Sequence, residues 1–215
     1  PSLNSLLCTE TNPKPWYVKL NPEGVVPTLD HGGKILTESN FIIEYLDETF
    51  PKIPLRPDDP YERWKMRNWM HRFESILHKN INLISFVKQN RMKRYEKFSE
   101  DELINFLSRQ VNAERKLSFE KRIRHGITEA EMQFAEDRIS EVLDEMDDAL
   151  QDKIWLNGPK LSLADISIAP FVERFEANDL KQLVDWQKRP ALGAWWSRVQ
   201  ELPSYKTAFN FTIPG

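Results

Sequence analysis

Apolar residues are spaced differently in the two parts of this chain. Before residue 50 they come in short runs broken by Gly and Pro, and from Tyr61 onward they recur at intervals of three and four. The second pattern predicts a long helix from Tyr61 to about Arg91, with Trp64, Trp69, Phe73 and Leu77 at helical spacings. A charged segment, Ser99 to Gly126, carries Leu103, Phe106, Leu107 and Val111 and reads as a helix followed by a loop. Gly126 and Thr128 separate it from a helix over Glu129 to Leu150, whose buried stripe is Phe134, Ile139, Leu143 and Met146. Ser162-Leu163-Ala164-Asp165 has the form of a capping box, which accounts for both polar side chains as folding residues. The last clear helix is Pro190 to Glu201, with Trp195 and Val199 facing inward and Pro203 ending it.

The first pattern is that of a small α/β unit. Asn21-Pro22-Glu23-Gly24 is turn material and leads into a strand from Val25 to Asp30. His31-Gly32-Gly33 signals a hairpin, with Lys34 to Leu36 returning antiparallel. Thr37 to Asn40 then caps a helix in which Phe41, Ile42, Tyr45 and Leu46 share a face. Pro27 cannot donate to a ladder, so it must lie on an edge or at a bend, and a cis Val26–Pro27 bond is the economical way to build that. Pro51, Pro54, Pro57 and Pro60 prevent a helix from continuing and mark a linker. The expected organisation is therefore an α/β domain over 1–50, a linker over 51–60 and an all-helical domain over 61–215.

Composition limits the function classes. A chain of 215 residues, 40% hydrophobic and 29% charged, has the balance of a folded protein. It has neither the long apolar run of a membrane span nor a secretory signal at its start. One cysteine, Cys8, excludes an internal disulfide framework and suits a reducing cytoplasm. A net charge of -3 gives no general attraction to nucleic acid. The basic clusters Lys88 to Lys97 and Arg115 to Arg124 read as solvated helix faces.

The chemistry concentrates between Asn21 and Tyr45. At an edge or bend, the backbone N–H and C=O of Val26 can pair with an extended peptide. The helix start at Ser39 offers N–H groups and a hydroxyl to a carboxylate. Together they suit a short peptide recognised by its main chain and one acidic end.

This run, NPEGVVPTLDHGGKILTESNFIIEY, resembles the second half of the thioredoxin-like domain of glutathione transferases. The resemblance implies an α/β plus all-α fold, with an N-terminal thioredoxin-like domain and a C-terminal all-helical domain. It also implies that Val26 and Pro27 serve the cysteinyl part of glutathione, and Glu38 and Ser39 its γ-glutamyl part. Where the family often has a polar side chain reaching the glycyl end, this chain has Val25; Lys14, Lys19 and Lys34 are the alternatives. Twenty residues precede Asn21, fewer than the roughly 30 that a strand, helix and strand require. The expectation is a break between Ser5 and Lys14, with a segment left out and the numbering run across it. Pro1 to Leu6 is then the end of the first strand and the start of the first helix, where the superfamily activates the thiol. Ser5 is the first candidate, Asn4 the second and Ser2 the third; Asn4 and Ser5 could instead be helix caps.

A narrower resemblance, carried by PSLNSL, PWYVKLNPEGVVPTLDHGGKILTES, LRPDDPYERWKMR and the charged segment before GITEAEM, is to bacterial glutathione-dependent β-aryl etherases. It implies a glutathione thiolate attacking a carbon that bears an aryloxy group, with no metal required. It also implies a hydrophobic, aromatic substrate held between Ser5 and the first long helix; Tyr17, Trp69, His71 and Phe73 are candidates to line the pocket. The family implies a homodimer with contributions from Phe41, Tyr45 and the first long helix. Two other readings stay open: a non-catalytic interaction module, and a thiol-disulfide transferase working through Cys8.

Overall fold

The computed structural model describes residues 3–6, 14–88, 95–177 and 180–209, with backbone alone for 3–6, 88 and 177. The chain falls into two compact units, Pro1–Pro54 with Phe86–Met132, and Leu55–Ser85 with Gln133–Gly215. Its strands are β1 (Leu3–Leu6), β2 (Thr28–His31) and β3 (Lys34–Thr37). Its first helices are α1 (Pro15–Leu20), α2 (Ser39–Thr49), α3 (Pro60–Arg72) and α4 (Lys79–Lys88), the last two joined by a π-helical stretch, Phe73–His78. After these come α5 (Glu100–Ser108), α6 (Ala113–His125), α7 (Glu129–Leu150) and α8 (Leu163–Ala177). The chain continues through α9 (Lys181–Val184), α10 (Pro190–Glu201) and α11 (Pro203–Phe209).

In the first unit the three strands form one antiparallel sheet in the order β1-β2-β3. The ladder begins at Thr28, three residues later than the expected Val25, because Pro27 has no N–H to contribute and the chain bends at Val26. The β2–β3 loop is the Gly32-Gly33 pair, with φ of 62° and 84°. Two successive positive φ values define the tight hairpin turn that matches strand twist, and glycine takes them without strain. His31 Nδ1 lies 2.8 Å from the Tyr45 hydroxyl, which ties the hairpin to α2.

The charged segment expected to be one helix and a loop is two helices, α5 and α6. Ser99 opens the first with a full capping box, and the Asn112 side chain accepts the Arg115 N–H to open the second. Leu103, Phe106 and Leu107 are buried, whereas Val111 is exposed. They join Phe86 and Tyr95 in a small core flanked by Phe98, Phe119, Ile123 and Ile127. Ring centroids there are 5.1 Å apart for Tyr95–Phe106 and 5.5 Å for Phe106–Phe119.

The second unit is helical. Asp59 accepts the N–H groups of Tyr61 and Glu62, both at 2.9 Å, and Pro60 starts α3. Phe73, Leu77, Ile139, Leu143 and Met146 are fully buried, and each contributes roughly 1.5–3 kcal/mol of transfer free energy. Periodicity failed for Trp64 and Phe134, which are 56% and 64% exposed. The expected single long helix is instead interrupted by the π-helical stretch, a wider turn that shifts the helical phase. Pro203 does not simply end α10, since it opens α11 after the extended residue Leu202.

Asp165 supplies the return half of the expected capping box and also ties together a wider set of donors. Its carboxylate accepts Ser162 N–H at 2.9 Å, Ser162 Oγ–H at 2.8 Å, Leu156 N–H at 3.0 Å and Trp195 Nε1–H at 2.9 Å. Burial pushes its pKa up, and these donors pull it the other way. Asp165→Ala leaves them all buried without an acceptor. The expected loss is about 3–5 kcal/mol, seen in urea as a lower midpoint with an unchanged slope. A loss under about 1 kcal/mol would show that the donors find water instead.

Thr128 and Glu131 make the corresponding box at α7, and Lys121 donates to Glu131 at 2.7 Å. The Lys121 and Thr128 hydrogen bonds hold the Glu131 pKa down at about 2, against an ordinary 4.5. Ionised Glu131 therefore favours the fold above pH 4.5, and this is lost as pH falls through about 2. Carboxyl NMR titration of Glu131 should give a midpoint near 2, and Thr128→Val should raise it.

Candidate functional site

The turn from Asn21 to Thr28 is built around one carbonyl. Val25 O accepts the Tyr17 hydroxyl at 2.6 Å and Asn21 Nδ2–H at 2.7 Å. Tyr17 Oη and Thr28 Oγ1 are 2.8 Å apart, and Asn21 Nδ2 lies 3.3 Å from the same Thr28 oxygen. Asn21 Oδ1 accepts Glu23 N–H at 3.1 Å, closing the start of the turn. Tyr17, Asn21 and Thr28 are buried, so these are interior bonds that water does not replace.

Above this network Val26 is 48% exposed and precedes the cis peptide bond to Pro27, as expected. Its backbone N–H and C=O have no hydrogen-bond partner among the described residues. Thr28 pairs with Thr37 across β2 and β3, so Pro27 enters and Glu38 leaves at the same end of the hairpin. Leu6 pairs with Thr28, which brings the C-terminal end of β1 to that same end.

Glu38 has φ 66° and ψ 108°, a conformation that costs a non-glycine residue about 1–3 kcal/mol. The expected cap from this segment takes an unusual form, because the Glu38 side chain makes no cap hydrogen bond to α2. Ser39, the first residue of α2, is exposed, and no acidic side chain lies in that first turn. The helix N-terminus thus has the Glu38 cap as its nearest acidic group, with the exposed Ser39 next to it.

Val26, Pro27, Glu38 and Ser39 thus emerge from one end of one hairpin. Asn4 and Ser5 lie on β1, opposite Asp30 and Leu29, and their side chains fall outside the described residues. The expected start of a helix within Pro1–Leu6 is not found over Leu3–Leu6, which is strand throughout. Ser2, Cys8 and the expected break beyond Ser5 fall outside the described residues, apart from Lys14. Tyr17 lines no pocket, since it is 0% exposed beneath the turn. Phe73 is core, Trp69 stacks on it at 5.6 Å, and His71 is exposed.

Two contributions were missed from sequence. Thr28 was read only as a strand residue, although a hydroxyl directly after Val-Pro in a strand otherwise made to be buried is a signal that it has a partner. Asn112 caps α6 with its oxygen and donates its amide N–H to Glu23, linking the charged segment to the Asn21–Thr28 turn. No local pattern reveals that pairing. Among the described residues no group of three His, Cys, Asp or Glu side chains could hold a metal ion, and no helix is long and apolar enough to cross a membrane.

The chain matches the family model of the glutathione S-transferase N-terminal domain over residues 3–56 and that of the C-terminal domain over residues 114–196. It belongs to the glutathione transferase superfamily, whose co-substrate is glutathione, and has that family's thioredoxin-like N-terminal and helical C-terminal parts. Among its relatives is Protein LigF of Sphingobium sp. (strain NBRC 103272 / SYK-6), 29% identical over 200 residues, or 91% of this chain and 77% of that one. The crystal structure of beta-etherase LigF from strain SYK-6 superposes with a TM-score of 0.80 at 28% identity, covering 91% of this chain and 82% of that one. Glutathione S-transferase omega-1 of Rattus norvegicus is 27% identical over 92% of this chain and 66% of its own length. A glutathione transferase from Burkholderia graminis, with two glutathione molecules bound per subunit, shares the fold with a TM-score of 0.66 and 19% identity, over 94% of this chain and 73% of that one.

The strained residue gives a direct test. Glu38→Gly relieves the positive φ and Glu38→Ala does not, so the glycine variant should be the more stable of the two by about 1 kcal/mol in thermal unfolding. Equal stabilities would mean that Glu38 does not hold this conformation in solution.

Proposed function

We propose that the open end of the hairpin binds glutathione and that the chain uses the glutathione thiolate to attack an electrophilic small molecule, cleaving a β-aryl ether. The observation that carries this is the convergence, at one end of the hairpin, of the exposed Val26 backbone, which has no hydrogen-bond partner among the described residues, with the strained Glu38 and the exposed Ser39 that begins α2. Val26 offers a donor and an acceptor to the cysteinyl main chain, as in strand addition. Ser39 and the α2 N–H groups suit the γ-glutamyl carboxylate, with Glu38 facing the α-ammonium.

The chemistry needs a thiolate. A free thiol with a pKa near 8.5 is mostly protonated at neutral pH, and each unit of depression favours the anion by about 1.4 kcal/mol. Ser5, with Asn4 as the alternative, is the donor assigned to that sulfur, and β1 delivers its backbone to the sheet end in question. The sulfur forms a C–S bond at the carbon bearing the aryloxy group while the C–O bond breaks. The bonding pair leaves with the phenolate, and the thiol proton goes to solvent. An adjacent carbonyl makes that carbon electrophilic, and no change of oxidation state in the protein is needed. The name beta-etherase belongs to the LigF structure and supports the ether as substrate class. The exposed, stacked pair Tyr61–Trp64 on α3 and exposed Phe41 on α2 are apolar surface suited to the homodimer this reading includes. The cytoplasm, with its reduced thiols, is its proposed compartment.

Calorimetry with glutathione tests the binding half: Ser39→Ala should raise Kd about tenfold. Absence of binding to the unaltered protein at millimolar glutathione would leave the interaction-module reading. For the chemistry, an aryl ether bearing an adjacent carbonyl should yield phenol and glutathione thioether in equal amounts by mass spectrometry. Ser5→Ala should slow this about 10- to 100-fold at unchanged glutathione Kd. If that variant stays fully active, Asn4 takes the assigned role. A reductant-sensitive mass gain of one glutathione on Cys8 would instead favour disulfide exchange.

A further inference from the structure

The hydrogen bonds beneath Val26 have a consequence for ligand binding, and it rests on the glutathione reading above. A trans peptide is planar, so the C=O of Val25 and the N–H of Val26 are rigidly coupled and point in opposite directions. The Val26–Pro27 bond is cis and the Val25–Val26 bond is not. Whatever fixes the Val25 oxygen therefore aims the Val26 N–H.

That oxygen is fixed from inside. Tyr17 has one hydroxyl hydrogen, and at 2.6 Å it goes to Val25 O. The 2.8 Å contact between Tyr17 Oη and Thr28 Oγ1 must then use the Thr28 hydrogen, with Tyr17 as acceptor. Asn21 spends its two amide hydrogens on Val25 O at 2.7 Å and Thr28 Oγ1 at 3.3 Å. Every hydrogen of the three side chains has an acceptor, and both lone pairs of the Val25 oxygen are used. All three residues are buried, so rotating this peptide would strand polar groups away from water.

We infer that Tyr17, with Asn21 and Thr28, positions the peptide plane of Val25 and Val26 so that the Val26 N–H faces the main chain of the thiol peptide. Tyr17 is a positioning residue that acts through Val25 and does not touch the ligand. The network spans α1, the turn and the first residue of β2, which makes it an anchor between elements as well as a hydrogen-bond cluster. Pre-setting the amide lowers the ordering cost that binding would otherwise bear.

The test combines binding with a view of the amide itself. Tyr17→Phe keeps the ring and removes one of the two donors to Val25. It should weaken glutathione binding by about three- to tenfold in calorimetry and shift the Val26 amide resonance in the ligand-free protein. Thr28→Val, which is isosteric, should act in the same direction. Thr28→Ser keeps the hydroxyl and should bind within about twofold of the unaltered protein. Thermal unfolding is followed in parallel, because a purely structural role would lower the melting temperature without moving the Val26 amide or separating Ser from Val at position 28. If Tyr17→Phe does not fold, the Thr28 pair carries the comparison. Normal binding in Tyr17→Phe and Thr28→Val, with the Val26 amide unmoved, overturns the inference and leaves the glutathione reading standing. No glutathione binding by the unaltered protein removes both.

Discussion

The peptide plane between Val25 and Val26 has one side in the interior and one at the surface. Its carbonyl is held by Tyr17 and Asn21, and its N–H is presented where a ligand can reach it. The rest of the site is arranged around that division. The Gly32-Gly33 turn fixes the register of β2 against β3, the register sends Pro27 and Glu38 out at the same end, and the bend at Val26 keeps its backbone out of the ladder. A one-residue slip of this hairpin would break the Thr28–Thr37 pairing that sends Pro27 and Glu38 out together, and would reverse the faces of β3. The site is therefore a property of backbone geometry more than of reactive side chains.

Asp165, Asp147 and Arg189, three buried polar side chains of the helical unit, obey the same rule by other means. Asp165 carries four donors, Asp147 accepts the Leu192 N–H at the start of α10, and Arg189 donates to Asp144, Ser140 and the carbonyls of Leu183 and Val184. Each is a polar group in the interior with a nearly full set of partners, and each sits at a helix end, where unsatisfied N–H or C=O groups accumulate. In the second unit these bonds join helices to one another. In the first unit they shape a loop. The physical cost avoided is the same, and the loop also leaves the Val26 backbone without a hydrogen-bond partner among the described residues.

How far such features can be read from sequence depends on how local they are. The bend at Pro27, the Gly-Gly hairpin, the Ser162–Asp165 box and the limits of α10 follow from short-range chemistry, since a missing N–H, a positive φ or a capping pair acts within a few residues. Trp64 and Phe134 fit helical spacing yet face solvent, because periodicity gives a stripe and only packing says where it ends. Tyr17 reads as one more aromatic, and nothing near it in sequence announces that its hydroxyl will meet residues 8 and 11 positions away. Asn112 and Glu23 are farther apart still. The proposal for Val26, Pro27, Glu38 and Ser39 starts from their order along the chain, and the strain at Glu38 is visible only in the backbone angles.

The charged segment has a packed centre that limits how far changes on its surface reach. Phe86, Tyr95, Phe98, Phe106 and Phe119 pack ring against ring, so α5 and α6 have a hydrophobic centre of their own. Substitutions at distant, non-touching positions combine nearly additively. Substitutions on the outer faces of these helices, away from the Asn112–Glu23 link to the turn, therefore act mainly on this local centre. A segment with its own packed centre can take new surface residues while its fold is kept, so the outer faces of α5 and α6 are where this chain can change at least cost to its stability.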